Sequence, residues 1–370
     1  MKTLITGLKS LSALTLIACC YSCNNNNNSN EIFTLDLAKN ISSGVKEITF
    51  NDIFDIEKVI PIETTDSTLM SADAKIQLVQ DNTIVLSYKN TVYTIDKNTN
   101  KAISTFNKSG KGHGEYLSIL NIREDYDKNI LLYDFRTNLV RKYDYRGNYI
   151  KEIDQNRSGI REYIDDSHYL IYKSIKNEDK YNLTIYDSNN KPLKQLFETD
   201  TTKYAMTFMD DLFTSNNNCY YMRTFGDTIY HITKDSANPA IVLNQGFLKM
   251  PHKIAASKAY FENDDNYITG FYSRFCGNYA FMQYYYNKKA FFDIWSISEG
   301  APISRSLVDF TTRTGHPGSP LKINDATINV WPKFFDQDRV YCIVEAAEFK
   351  EAMPELTDED NPVIIILKLK

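Results

Sequence analysis

A six-fold internal repeat is the feature of this sequence that most limits its fold. Each copy has an apolar run, a polar break, a second apolar run, a polar turn and a third run. Apolar and polar residues alternate within the runs, as in Val92-Tyr93-Thr94-Ile95-Asp96, and a period of two indicates β-strands. The copies occupy residues 83–106, 130–153, 169–197, 219–243, 279–307 and 339–370, and the sixth stops after its second run.

A further strand-like segment precedes each copy, which gives four strands per unit. Successive copies begin 47, 39, 50, 60 and 60 residues apart by subtraction of their first residues, a spacing typical of four-stranded propeller blades. We therefore predict an all-β fold, a six-bladed β-propeller with four-stranded blades. A right-handed solenoid of strands is the alternative, but its coils would be shorter and more uniform. The preceding segments are 75–80, 119–124, 161–166, 205–210, 270–275 and 328–334.

The sixth copy lacks its outer strand, and an unpaired strand edge promotes aggregation. The N-terminal segment at residues 55–65 can supply this strand and so close the ring. Pro61 lies within it and is acceptable on an outermost strand, where one side of the backbone has no partner.

The N-terminus has the pattern of an export signal. Lys2 and Lys9 precede a short apolar run at residues 11–18, which is well below the roughly 20 residues that a membrane-spanning helix needs. Leu16-Ile17-Ala18-Cys19 resembles a bacterial lipoprotein signal, with Cys19 as the lipid anchor and Cys23 as the alternative. An ordinary secretory signal with incidental cysteines is the other interpretation.

This pattern divides the chain into three parts. We predict a signal peptide at 1–18, a tether at 19–32 that includes an asparagine run at 24–28, and a propeller domain at 33–370. The expected location is the outer membrane of a Gram-negative bacterium, with a lipid anchor and the domain in the periplasm or on the surface.

Composition narrows the partners and the chemistry. Acidic residues outnumber basic ones by 47 to 42, and without a basic tract we expect no nucleic acid partner. Cys219, Cys276 and Cys342 are too few for a disulfide framework and lack zinc-site spacing. Each lies in an apolar or aromatic run, so we predict buried thiols.

Three segments together carry a family resemblance. Ile60 to Thr65 ("IPIETT"), residues 110–119 ("GKGHGEYLSI") and residues 143–153 ("YDYRGNYIKEI") resemble the six-bladed β-propeller lipoproteins of Bacteroidetes, which are related to NHL-repeat propellers. The resemblance covers essentially the whole mature chain. His113 replaces the proline that this family more often has. The resemblance implies the fold and brings no catalytic motif with it.

The glycine-rich stretch at residues 110–116 is the first candidate site. Its glycine spacing fits neither a P-loop nor a dinucleotide fingerprint. In a propeller this link crosses the face where ligands bind, so His113, Glu115 and Tyr116 could present a donor, a carboxylate and a ring. A plain turn, in which glycines permit positive φ, is the favoured interpretation.

Other candidates are dispersed along the chain. His316 lies in a similar Gly- and Pro-rich link, and Arg123 belongs to a predicted inner strand. Calcium wants six to eight oxygen ligands; it is a possible cofactor that no motif indicates, and the metal content is left open. An aromatic stretch at 282–292 would suit sugar stacking, but rings packed between sheets are favoured. The polar residues on the predicted inner strands are Asp81, Asn121, Arg123, Glu124, Asp165, Asp166, Asp210, Asp211, Arg274 and Lys333.

The function expected from these observations is binding. We predict a lipid-anchored, monomeric, non-enzymatic module that recognises a glycan, a peptide or an envelope protein. The alternative is an NHL-like lyase or hydrolase with an axial metal ion, and a scaffold of an envelope complex is a third possibility.

Overall fold

The protein is all-β in the part that its computed structural model describes, which is residues 32–153, 159–173, 180–200, 202, 204 and 209–370. The predicted signal peptide, nearly all of the tether and the two candidate anchors Cys19 and Cys23 lie outside these residues. The two N-terminal strands are β1 (Phe33–Asp36) and β2 (Phe54–Pro61). No helix among the described residues is long and apolar enough to cross a membrane.

The remaining strands form sheets in chain order. Sheet 1 contains β3 (Lys75–Val79), β4 (Thr83–Tyr88), β5 (Thr91–Asp96) and β6 (Ala102–Asn107). Sheet 2 contains β7 (Ile119–Glu124), β8 (Ile130–Asp134), β9 (Leu139–Tyr143) and β10 (Tyr149–Glu152). Sheet 3 contains β11 (Ile160–Asp165), β12 (His168–Tyr172), β13 (Tyr181–Asp187) and β14 (Pro192–Glu198). All neighbours within these sheets are antiparallel.

The second half of the chain adds two five-stranded sheets, a hairpin and a further four-stranded sheet. Sheet 4 contains β15 (Asp211–Ser215), β16 (Asn218–Met222), β17 (Thr228–Ile232) and β18 (Ala237–Asn244), with β1 parallel to β18. Sheet 5 contains β19 (Thr269–Cys276), β20 (Tyr279–Tyr286), β21 (Lys289–Ser296), β22 (Ala301–Asp309) and β23 (Thr314–Gly315). A hairpin follows, with β24 (Ser319–Ile323) and β25 (Ala326–Val330). Sheet 6 contains β26 (Phe334–Asp336), β27 (Arg339–Val344), β28 (Val363–Leu369) and β2.

The helices among the described residues are single turns. The α-helical turns are α1 (Leu37–Asn40), α2 (His252–Ala255), α3 (Tyr260–Asn263) and α4 (Ala346–Phe349). The 3₁₀ turns are Phe50–Asp52, Gly246–Leu248 and Asp264–Asn266.

The prediction of strands from the repeat is confirmed, with two corrections. The first strand of sheet 6 is β26, Phe334–Asp336, and not the whole predicted segment at residues 328–334. Residues 326–330 pair instead with residues 319–323 in the hairpin. Sheets 4 and 5 have five strands each, so four strands per unit is not uniform. Most of the predicted strand at 205–210 lies outside the described residues.

Consecutive sheets pack face to face through apolar side chains. Alternate residues of one strand face different neighbours, since Val85 packs between sheets 1 and 2 while Leu86 packs between sheets 1 and 6. The first strands also contact one another in the order β3, β7, β11, β15, β19, β26 and again β3. Each sheet is therefore buried on both faces, which explains the dense apolar runs in the sequence.

The second strand of the described chain and its last strand pair in sheet 6. β2 pairs antiparallel with β28, from Phe54 opposite Leu369 to Pro61 opposite Val363. β2 is thus the fourth strand of this sheet, as predicted for residues 55–65, and it ends at Pro61.

A segment at residues 33–50, which we call the strap, links three sheets. β1 extends the edge of sheet 4, where the Leu35 and Leu37 side chains are fully buried. The strap then passes sheet 5, where Ile48 N donates to Ser304 Oγ at 3.0 Å. It ends at Phe50, which packs in the core between sheets 5 and 6.

The three cysteines among the described residues follow the prediction. Cys219, Cys276 and Cys342 are buried and are not disulfide-bonded, which confirms that they act as small apolar side chains. Burial raises the pKa of the Cys276 thiol to about 12, so it stays protonated and unreactive.

Candidate functional site

The first strands of neighbouring sheets are joined by polar side chains. Arg123 on β7 donates through Nε to Glu162 Oε1 on β11 at 3.0 Å, and Thr214 Oγ1 on β15 donates to Glu162 Oε2 at 3.0 Å. Glu162 is nearly buried, so its charge depends on these partners. Arg123, predicted as a ligand-binding residue, is therefore engaged in a contact between sheets.

A second ion pair joins sheets 4 and 5. Arg274 on β19 donates through Nη1 to Asp211 Oδ2 at 2.7 Å and through Nη2 to Asp211 Oδ1 at 3.2 Å. Its guanidinium also faces the rings of Phe213 and Tyr272 at 4.3 and 4.1 Å from the centroids. Burial disfavours the Arg274 charge, but the neighbouring groups together, Asp211 first among them, outweigh burial and raise the pKa of Arg274, so the guanidinium stays charged.

A cavity of about 820 Å³ opens where β3, β7 and β19 begin. We call it the face cavity. Sheets 1, 5 and 6 and the hairpin supply most of its wall, which combines aromatic rings with acidic and basic groups. The lining side chains that carry rings or charges are Asp73, Lys75, Tyr272, Tyr285, Phe292, Trp331, Lys333, Glu345 and Glu348.

A β-bulge at Gly270 shapes the wall of the face cavity. The register of β19 against β20 shifts between Thr269 and Tyr272, and Gly270 has a φ of +64°. A Cβ at Gly270 would lie 2.5 Å from Cδ2 of Tyr285, so the Tyr285 ring occupies the space that any other residue would fill. Bulges of this kind commonly re-aim a side chain beside a functional site.

Side chains on the opposite wall are fixed by packing and hydrogen bonds. The Trp331 ring meets Phe292 and Phe281 edge-on, with centroids 5.3 and 5.8 Å apart. Glu345 Oε1 accepts from Ala72 N at 2.8 Å, and Lys333 Nζ donates to Ala72 O at 2.6 Å. This wall is therefore largely preorganised for a ligand.

The predicted loop at residues 110–116 lies between sheets 1 and 2. Glu115 Oε2 accepts from Gly112 N at 2.7 Å, while His113 meets the ring of Tyr149 on β10 edge-on. Tyr116 is fully buried, and its hydroxyl donates to Asn90 O at 2.9 Å. Burial raises the pKa of Tyr116 to about 12, so the hydroxyl remains a donor.

The structure does not bring the five predicted ligand-binding residues together. His113, Glu115 and Tyr116 share the loop beside β10, Arg123 contacts β11, and His316 lies 3.6 Å from Glu47 Oε2 at the end of the strap. None of the five lines the face cavity. The sequence signal for that cavity was Gly270, an isolated glycine in a strand pattern.

The described residues hold no group of three or more His, Cys, Asp and Glu side chains placed to bind a metal ion. The adjacent acids Asp210 and Asp211 have different partners. The Asp211 carboxylate accepts from Arg274, whereas the Asp210 carboxylate accepts from the Tyr221 hydroxyl.

Antiparallel sheets that pack face to face in chain order, with a cavity where the first strands begin, define a propeller-like all-β protein. The chain belongs to the family described as a domain of unknown function, DUF4934, whose model matches residues 32–368. No curated protein matches the sequence.

Solved structures with this fold include two from Bacteroides. A protein of Bacteroides fragilis, named as an exported protein, has a TM-score of 0.65 at 15% identity over 92% of this chain and 100% of that chain. A DUF4221 family member from Bacteroides vulgatus has a TM-score of 0.52 at 12% identity over 86% of this chain and 98% of that chain. Virginiamycin B lyase from Staphylococcus aureus has a TM-score of only 0.40 at 10% identity, over 86% of this chain and 100% of that chain, which supports no argument.

Proposed function

We propose that this protein is a lipid-anchored envelope protein whose six-bladed β-propeller binds a ligand in the face cavity without transforming it. The proposal of a closed ring rests on the contacts of the first strands, which return from β26 to β3, and on the pairing of β2 with β28. It also rests on an apolar core between sheets 6 and 1.

The observation that carries the binding function is the face cavity itself. Its volume of about 820 Å³ lies within the range of small-molecule sites, and rings and polar groups converge in it. The loops that connect the blades of a propeller border such a cavity, and their sequences can vary without disturbing the sheets.

Envelope location is supported by two independent features. One is the lipoprotein-like signal that ends at Cys19, with Cys23 as the alternative anchor. The other is the fold shared with a Bacteroides protein that is named as exported. Palmitate labelling in the native host tests the anchor: Cys19→Ser should abolish incorporation and Cys23→Ser should leave it intact, whereas the reverse result would move the anchor to Cys23.

A matched pair of tryptophan substitutions tests the face cavity. Asn329 and Thr327 are both exposed on β25, but only Asn329 lines the cavity. Asn329→Trp should fill the cavity, while Thr327→Trp places the same bulk outside it. Both variants should fold, because neither position is in the core.

The binding screen uses the mature chain with a panel of oligosaccharides, peptides and purified envelope proteins. We expect at least one panel member to raise the melting temperature of the wild type and of Thr327→Trp but not of Asn329→Trp. Binding that is equally strong in Asn329→Trp would overturn the cavity as the site. Mass spectrometry of the bound compound checks for turnover, and its conversion would replace the binding function with the lyase or hydrolase alternative.

A further inference from the structure

We propose that a neutral oligosaccharide binds across the face cavity and a smaller cavity that adjoins it, with the rings of Tyr285, which lines both cavities, and Phe310, which lines the smaller one, as the stacking platform for its sugar units. This inference rests on the proposed binding function and names the chemical class of the ligand. It is carried by the placement of two rings, the charge balance around them and the polar groups at their edges.

The Tyr285 ring packs closely against the backbone at Gly270. Its Cδ2–Cε2 side lies beside Gly270, where the positive φ and the missing side chain allow close approach. The residue is still 39% exposed at the rim. Gln283 Nε2 donates to the Tyr285 hydroxyl at 3.2 Å and fixes the ring further. A ring that is already immobile loses little conformational entropy when a ligand stacks on it.

Phe310 extends this open aromatic surface. Its ring is tilted by only 22° from that of Tyr285, with centroids 6.3 Å apart. The two rings are thus nearly parallel neighbours, and 54% of Phe310 is exposed. Phe310 N donates to Lys288 O at 3.0 Å, which ties the residue to the β20–β21 turn. Two neighbouring, nearly parallel and exposed rings suit contact with two consecutive sugar rings of a ligand.

Charges around the platform are nearly balanced. The face cavity contains three acidic side chains and two lysines, Asp73, Glu345, Glu348, Lys75 and Lys333. A smaller adjoining cavity of about 300 Å³, which shares Gly270 and Tyr285, contains two of each sign, Asp264, Asp265, Lys288 and Lys289. No single charge dominates, so the electrostatics favour a neutral ligand over a phosphorylated or strongly acidic one.

Neutral sugars satisfy both parts of this surface. The C–H face of a pyranose packs on an aromatic ring, while its hydroxyls accept hydrogen bonds from amide and ammonium groups and donate them to carboxylates at the edge. A peptide bound through an anchor side chain needs a deep, fully desolvated pocket. The Tyr285 and Phe310 rings instead form a shallow, open surface. The geometry therefore favours a carbohydrate.

Intrinsic fluorescence gives a direct readout of occupancy. The chain has two tryptophans: Trp331 lines the face cavity, and Trp295 is fully buried. The mature chain is titrated with neutral hexasaccharides of β-1,4-glucan, β-1,4-mannan, β-1,4-xylan and α-1,4-glucan, with an uncharged peptide pool as the comparison. We expect at least one saccharide to change the emission of the wild type and not that of Trp331→Phe, with Kd measured by calorimetry.

Three substitutions test the platform. Tyr285→Ala should weaken saccharide binding about tenfold through loss of stacking, whereas Tyr285→Phe should stay within about threefold because it keeps the ring. Tyr126→Ala is the matched control, since Tyr126 is also 39% exposed but lies outside the cavity, and its binding should equal that of the wild type.

The outcomes separate this inference from the proposed function. Equal saccharide affinity in Tyr285→Ala and the wild type overturns the platform. Binding of a peptide or envelope protein that is lost in Asn329→Trp, with no saccharide binding, overturns the carbohydrate inference but leaves the binding function standing. If Asn329→Trp changes the binding of no panel member, both the carbohydrate inference and the proposed binding function fail.

Discussion

Arg305 and Asp293 form a bidentate ion pair in the core of sheet 5, with Nε to Oδ1 at 2.8 Å and Nη2 to Oδ2 at 2.7 Å. They are cross-strand partners on β22 and β21. Arg305 Nη1 also donates to the carbonyls of Asn40 and Ile41 at 3.0 Å each. This single guanidinium therefore holds the strap against sheet 5.

Removal of one member of this pair should be costly. Asp293→Ala leaves the Arg305 charge buried without its carboxylate, and we expect the free energy of unfolding to fall by about 3–5 kcal/mol in urea denaturation. Glu57→Ala is the control, because Glu57 forms a bidentate pair with Arg339 at the surface and should change stability by about 1 kcal/mol or less. Similar losses in both variants would contradict this account.

Glu115 is expected to stabilise its loop. Its carboxylate accepts from Gly112 N and fills the space beside Gly110, where a Cβ would lie 1.9 Å from Oε2. Glu115→Ala should lower the free energy of unfolding by about 1–2 kcal/mol, and Lys111→Ala, at an exposed position in the same loop, should leave it unchanged. Unaltered stability in Glu115→Ala would instead return Glu115 to the candidate ligand-binding residues.

The acid stability of the domain should depend on His231. Burial lowers the pKa of His231 below its ordinary 6.5, so the neutral ring is favoured in the folded state and the unfolded chain binds the proton more readily. The contribution of neutral His231 to the stability of the folded state is therefore present above pH 6.5 and is lost as the pH falls through and below that value. His231→Gln should therefore flatten the fall in unfolding free energy between about pH 7 and pH 5, and an unchanged slope would exclude this role.

Pairing of β2 with β28 should be essential for folding. A chain that ends at residue 362 lacks β28, whose first five residues, 363–367, are buried; β2 then has no partner in the sheet, and β27 keeps only β26. We expect this truncation to lose the cooperative thermal transition. Deletion of Lys370 alone should leave the transition within a few degrees of the wild type, and a folded truncation would argue against closure through this sheet.

Local patterns in the sequence were sufficient for most strands, because alternation and turn residues act over a few positions. These patterns wrongly assigned residues 328–334 to a blade, because the alternation that includes Ile328 and Val330 is equally typical of a strand in a separate hairpin. The turn at Asn324 and Asp325 was the missed signal: Asn324 has a φ of +52°, a conformation that asparagine tolerates.

The candidate site was harder to predict because it depends on register. Gly270 and Tyr285 are 15 positions apart, and only the shift between β19 and β20 brings the ring over the glycine. Arg305 likewise meets Asp293 only once β21 and β22 are aligned. The glycine-rich loop was a candidate site because its residues are chemically distinctive. Its geometry is explained by hydrogen bonds within the loop and to Asn90.

Sheet 6 also sets the order in which the protein can be completed. Phe54 is opposite Leu369, 315 positions later, so β2 leaves the ribosome long before its partner exists. Contacts this distant in sequence form late, after the loop-closure entropy has been overcome. Until then β2 is a strand with open edges and exposed apolar residues such as Phe54 and Ile60, and unpaired edges of this kind promote aggregation. Completion of sheet 6 therefore requires the seven residues of β28, Val363–Leu369.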